Sequence, residues 1–190
     1  MIVMGRLDEG LREIHLAQEL DPLSPIMYLT ESYIHFLAGE FDTAEKQLRK
    51  ALEMDPHFPR ALSLLGQMRF AQGKGDEAIR LTQQALEYSD SSAEYLSLLG
   101  YMHGRLGQAE ESEKILERLQ RLSTREFISP YLFVVVYTGL GGKDEAFRWL
   151  NRGIETRDYG VLGMRRDPLL ETLRMDPRFE KSLKRIGFPE

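Results

Sequence analysis

GEFDTAEKQLRKALEMDPHF, Gly39 to Phe58, decides the fold, because GKGDEAIRLTQQALEYSDSS, Gly73 to Ser92, repeats its pattern one register further on. Working outward, the opening glycine recurs at Gly5, Gly39, Gly73, Gly107 and Gly141, a period of about 34 residues. Small residues follow in register at Gly10, Ala44, Ala78, Ser112 and Ala146, and a second series runs Ala17, Ala51, Ala85, Leu119 and Gly153. Asp21-Pro22 and Asp55-Pro56 close two of the units. Each class has a mechanical reason. A glycine after a helix turns the chain through a left-handed conformation without a Cβ penalty. Small residues let two helices approach, and Gly66 and Gly100 do the same near the middle of the preceding helices. Proline disfavours helical geometry in the residue before it and has no N–H to donate.

This register predicts inner helices near 25–37, 59–71, 93–106 and 127–140, and outer helices near 7–20, 41–54, 76–88, 110–122 and 143–156. Leu48, Ala51 and Leu52 in one outer helix, and Ile79, Thr82, Ala85 and Leu86 in the next, keep the three-to-four spacing of a buried face. YLFVVVY, Tyr131 to Tyr137, has the β-branched content of a strand, but its place in the repeat assigns it to an inner helix. Glu31 and Ser32 stand where an apolar and a small residue are preferred, and Pro130 suits a first helical turn. Asp167-Pro168 and Asp176-Pro177 each put a capping carboxylate before a proline, predicting short helices near 168–174 and 177–186.

These stretches, with GQAEESEKILERLQRLS (Gly107 to Ser123) and GGKDEAFRWLNRGIE (Gly141 to Glu155), resemble the tetratricopeptide repeat family. The resemblance implies an all-α fold, an α-α superhelix of helical hairpins. It divides the array over 1–158 into a half unit at 1–24 and units at about 25–58, 59–92, 93–126 and 127–158, with capping helices over 159–190 in the same domain. It also implies a non-catalytic scaffold that binds a protein or peptide segment in a concave groove. The family's lining positions carry over to Leu29, Tyr33 and Phe36, then Arg60, Ser63, Gln67 and Phe70, then Glu94, Ser97, Tyr101 and Arg105. Phe36 and Phe70 fit a seam between hairpins as well as a groove, whereas Tyr33 and Tyr101 bring a polar tip suited to a wet surface. The subclass that clamps a terminal carboxylate uses Lys and Asn where this chain has Leu29 with Tyr33 and Ser63 with Gln67.

The segment from Phe127 to Pro189, with its Asp-Pro-Arg-Phe ending, resembles the close of the tetratricopeptide regions in many bacterial multidomain regulators, where they follow winged-helix, kinase or β-propeller domains. That implies a self-association or regulatory domain of a larger protein as the alternative function. At the other end, Met1 to Met4 are too few for the inner helix that should precede Gly5. The expected reading is a fragment of a longer protein. A helix from a neighbouring chain, including a homodimer through the open edge at Ile2 and Met4, and a frayed end are the other two.

The formal net charge of −5 argues against broad capture of nucleic acid or of anionic membrane. The chain has no cysteine, which removes thiolate chemistry and disulfides, and no apolar run reaches the roughly 18 residues of a membrane span. A cytoplasmic protein without cofactor or metal is expected. His15, His35, His57 and His103 are expected to be solvated or packing residues, since no metal-binding or nucleophile motif surrounds them. Gly73 and Gly75 flank Lys74 between two helices, not after a strand, and so do not make a phosphate loop. The acidic pairs Asp76-Glu77, Glu110-Glu111 and Asp144-Glu145 open outer helices, where they suit the helix dipole. Arg165-Arg166 beside Asp167 is a weak anion site at best.

Overall fold

The computed structural model describes residues 7–89 and 92–187. Gly5, the edge at Ile2 and Met4, the end of the second repeat at Asp90 and Ser91, and Pro189 lie outside the described residues. The chain divides into two compact units, Met1–Ser91 and Ser92–Glu190.

The first unit holds α1 (Leu7–Leu20), α2 (Pro25–Leu37), α3 (Phe41–Met54), α4 (Pro59–Ala71) and α5 (Gly75–Glu87), with α2 packed on α3 and α4 on α5. Gly39 and Gly73 end the inner helices at φ +80 and +77, and a Cβ on either would meet nothing within 4 Å. Conformation, not space, therefore requires glycine there. The Gly39 N–H donates to the Phe36 carbonyl and the Glu40 N–H to that of His35, which satisfies the orphaned end of α2. Gly73 and Lys74 close α4 on Phe70 and Arg69 in the same way. Asp55 stops α3 in an extended conformation, and its Oδ1 accepts the His57 N–H at 3.0 Å.

Leu29, Phe36, Ala44, Leu48, Ala61, Leu64 and Met68 form the core of this unit. The two misplaced polar residues of α2 are built into it. The Ser32 hydroxyl donates to the Ala44 carbonyl at 2.7 Å, so it bonds across the hairpin where the next two units carry Gly66 and Gly100. Glu31 is only 4% exposed, yet its carboxylate accepts bonds at 2.7 Å from Gln18 on α1 and from Gln47 on α3. His15 lies 3.3 Å away and His35 3.7 Å. A buried carboxylate is tolerated when its lone pairs are filled, and here it links three helices.

Arg69 on α4 ties the same unit from another side, bonding Glu45 of α3 at 2.8 Å and Glu77 of α5 at 2.9 Å. Arg69, and after it Arg49, hold the Glu45 carboxyl down from 4.5 to about 2 against the opposing effect of burial. A carboxyl lowered in the folded state stabilises above its unfolded pKa and loses that contribution as pH falls through the folded one. The first unit should therefore lose stability between about pH 4.5 and 2, by about 1 kcal/mol from this pair once solvent screening is counted. Comparing acid unfolding of the wild type with that of Glu45→Gln, whose curve should be flatter in this window, checks it.

The second unit contains α6 (Ala93–Arg105), α7 (Ala109–Leu122), α8 (Pro130–Gly139) and α9 (Lys143–Glu155), then two 3-10 turns at Tyr159–Gly163 and Pro168–Leu170, α10 (Glu171–Arg174) and α11 (Pro177–Ile186). The β-branched stretch is helical, as its register requires. Phe133, Val134, Val135 and Val136 are all buried, because α8 packs against both α6 and α9. A helix enclosed on several sides can be apolar all round, and tertiary packing outweighs β propensity. This helix starts at Pro130, not near Phe127, which is 77% exposed. The Ser129 hydroxyl accepts the Tyr131 N–H and fixes the later start.

Each residue of Asp-Pro-Arg-Phe has a structural role. Asp176 caps α11 by accepting the Arg178 N–H, Pro177 is its first residue, and Phe179 is buried. Arg178 lies 4.3 Å from the Phe147 ring centroid and pairs with Asp144 at 2.7 Å, both residues of α9. This terminal helix thus packs against α9 as a cap.

Candidate functional site

 Ile26, Leu29, Thr30 and Tyr33 of α2 face Arg60, Leu64 and Gln67 of α4 around an open cavity of about 250 Å³. Its lining residues recur three or four apart on each helix, so each helix offers one stripe. Of the expected lining residues, Leu29, Tyr33, Arg60 and Gln67 meet here. Thr30 and Leu64 join them, and their helical spacing from Ile26 and Arg60 was the available signal. Tyr33 is 37% exposed, and Arg60 is exposed and pairs with no carboxylate among the described residues.

The other expected lining residues are placed differently. Phe36 is buried in the core, with its ring 5.9 Å from Phe41 and 6.5 Å from Tyr33, which is the seam position. Ser63 is buried, and Phe70 is half-buried. In the second unit Ser97 is buried and its hydroxyl donates to the Glu94 carbonyl, so it offers little to a ligand. Tyr101 is buried too, and burial pushes its hydroxyl pKa up, opposed by the nearby charge of Arg105. Glu94 and Arg105 are exposed.

The helix pairs explain why a cavity opens beside Tyr33 while Tyr101 is covered. Gly104 of α6 and Gly139 of α8 touch backbone to backbone: a Cβ on Gly139 would lie 2.5 Å from the Tyr101 carbonyl oxygen. At the same repeat positions the first unit carries Phe36 and Ala71. The Phe36 ring keeps α2 and α4 from an equally close approach, and space remains between Tyr33 and Arg60.

The histidines serve the helix ends and the buried carboxylate. His35 Nδ1 lies 2.6 Å from Glu40, and His103 Nδ1 lies 2.6 Å from Gln108 at the same repeat position, each bridging a helix end to the turn after it. Among the described residues no group of three or more His, Cys, Asp and Glu could hold a metal ion. No described helix is long and apolar enough to cross a membrane. The three acidic pairs occupy the first turns of α5, α7 and α9.

Residues 35–100 match a family described as tetratricopeptide repeat, and residues 93–125 match a second family of that description. No curated protein matches the sequence. Among solved structures, the pilF protein of Pseudomonas aeruginosa is similar at a TM-score of 0.58 and 18% identity, over 96% of this chain and 85% of that one. A crystal structure of MamA is similar at 0.53 and 20% identity, over 81% of this chain and 90% of its own. A chain of the APC/C hetero-tetramer Cut9-Hcn1 is similar at 0.55 and 16% identity, over 97% of this chain and 46% of that chain. At these identities the likeness is one of fold. Residues 35–125 thus match the tetratricopeptide repeat, and the all-α fold resembles that of the pilF and Cut9-Hcn1 structures.

Proposed function

We propose that the chain is a non-catalytic protein-interaction scaffold whose first unit holds an apolar segment of a partner protein, helical or extended, between α2 and α4. The observation that carries this is the cavity flanked by Tyr33 and Arg60, with Ile26, Leu29 and Leu64 as its apolar walls. Tyrosine and arginine are the residue types that most often anchor interfaces, and the cation of Arg60 favours a segment with an acidic residue beside its apolar ones. The Cut9-Hcn1 hetero-tetramer is an assembly that contains a chain of this fold, which supports the class of function. Selecting a displayed random-peptide library on the full chain tests the reading. Enriched peptides should combine apolar side chains with an acid, and Tyr33→Ala or Arg60→Glu should weaken them by about tenfold or more. Enrichment of no sequence class, or binders indifferent to both changes, would sink it.

A second reading, a self-association or regulatory domain of a larger bacterial signalling or transcription protein, is favoured by a different observation. Leu16 and Leu20 share a face of α1 at 55% and 89% exposure, and Leu23 follows at 78%. Light scattering across a concentration series should then find a dimer that Leu16→Glu with Leu20→Glu abolishes. A monomer at every concentration would leave the self-association reading without support.

A further inference from the structure

We propose that the C-terminal end of α7 is an anion-binding site for the acidic side chains of a peptide segment, separate from the cavity between α2 and α4. Arg118, Arg121, Leu122, Thr124 and Arg125 line an open cavity of about 370 Å³. The sequence Arg118 to Arg125 carries three arginines and no acid. Positions 118, 121, 122 and 125 are spaced three, four and seven apart, which is one helical stripe. The stripe extends past the last residue of α7 because the chain stays coiled: the Thr124 N–H donates to the Arg121 carbonyl, and the Arg125 and Glu126 N–H groups to that of Leu122.

Basic residues near a helix C-terminus often serve the helix itself, by bonding its last carbonyls or by answering its dipole. Here the carbonyls are already occupied. Ser123 Oγ donates to the Gln120 carbonyl at 2.7 Å, and Thr124 Oγ1 to that of Arg121 at 2.8 Å. The guanidinium groups are largely unspent as well. Arg118 and Arg125 pair with no carboxylate among the described residues, and Arg121 reaches only Glu117, at 3.6 Å. Three cations around one cavity outweigh the roughly half-unit negative end of the helix dipole. Arginine presents its donors as a fork that matches carboxylate and phosphate alike.

The surroundings select a local anion over a polyanion. The first half of α7 carries Glu110, Glu111 and Glu113, all exposed, so an extended array of phosphates along the helix would meet carboxylates. A single acidic cluster on a peptide would not, and half-buried Leu122 offers an apolar wall for its side-chain stems.

Fluorescence anisotropy on the full chain tests the site with three labelled probes: a glutamate-rich peptide, the same peptide with a central phosphoserine, and its all-glutamine counterpart. The acidic probes should bind at least about tenfold more tightly than the glutamine one, with affinity falling as salt is raised. Tighter binding of the phosphoserine probe identifies phosphate as the preferred group, and parity identifies carboxylate. Arg118→Glu with Arg125→Glu should abolish the preference while leaving circular dichroism and melting unchanged, since both side chains are exposed. Tyr33→Ala should leave it intact, which separates this site from the other cavity. Acidic probes that bind no better than the glutamine probe, or equally well to the double variant, would overturn the proposal.

Discussion

Replacing Gly139 by valine should destabilise the second unit by about 3 kcal/mol or more. A Cβ at this position would lie 2.5 Å from the Tyr101 carbonyl oxygen and 2.6 Å from its Cα, and neither atom belongs to a side chain that can swing aside. Relief requires α8 to move off α6. That movement would open the packing of Val134, Val136 and Met102, which are fully buried. Thermal melting of the variant should show a loss of order 10 °C. Gly163→Ala is the matched control, because a Cβ there meets nothing within 4 Å, and its melting should be unchanged. A Gly139→Val protein that melts with the wild type would mean that α6 and α8 are not in backbone contact.

Glu31→Ala should cost about 3 kcal/mol in the first unit. The carboxylate is the acceptor for the Gln18 and Gln47 side-chain amides, and removing it strands both half-buried donors. The amide oxygen of Gln47 has no hydrogen-bond partner among the described residues, so the bond to Glu31 is the one that this side chain makes there. Replacing the whole group should be far less costly than breaking it. Gln18→Leu, Glu31→Leu and Gln47→Leu together should recover most of the lost stability, since both amide donors go with the carboxylate and apolar groups of similar volume take their place. Denaturant unfolding of the single and triple variants measures the difference. A triple variant no more stable than Glu31→Ala would show that the cluster contributes through shape, not through its bonds.

The helices were legible because their punctuation is local. Gly39 and Gly73 turn the chain whatever surrounds them, Asp55-Pro56 stops a helix, and Pro59 or Pro177 starts one. The late start of α8 was less so. Its fixing feature is the hydroxyl of Ser129, which also donates to Asp158 some thirty residues away, and neither bond leaves a periodic trace. The 3-10 turn at Tyr159–Gly163 was missed for a related reason: Gly160 is required there by the Tyr131 side chain, whose Cβ a substituent would approach to 2.8 Å.

Period and composition were enough to assign Tyr33 and Tyr101 to the same face of their inner helices, because side-chain direction follows from helical spacing. How deep each face lies was decided only in three dimensions. Tyr33 stays 37% exposed beside a cavity, whereas Tyr101 is 8% exposed under a helix that Gly104 and Gly139 allow to come within backbone contact. The same division applies to Glu31. Its misfit was visible in the sequence, but the amides that accommodate it come from two other helices, and only folding brings donors so far apart in the chain to one carboxylate.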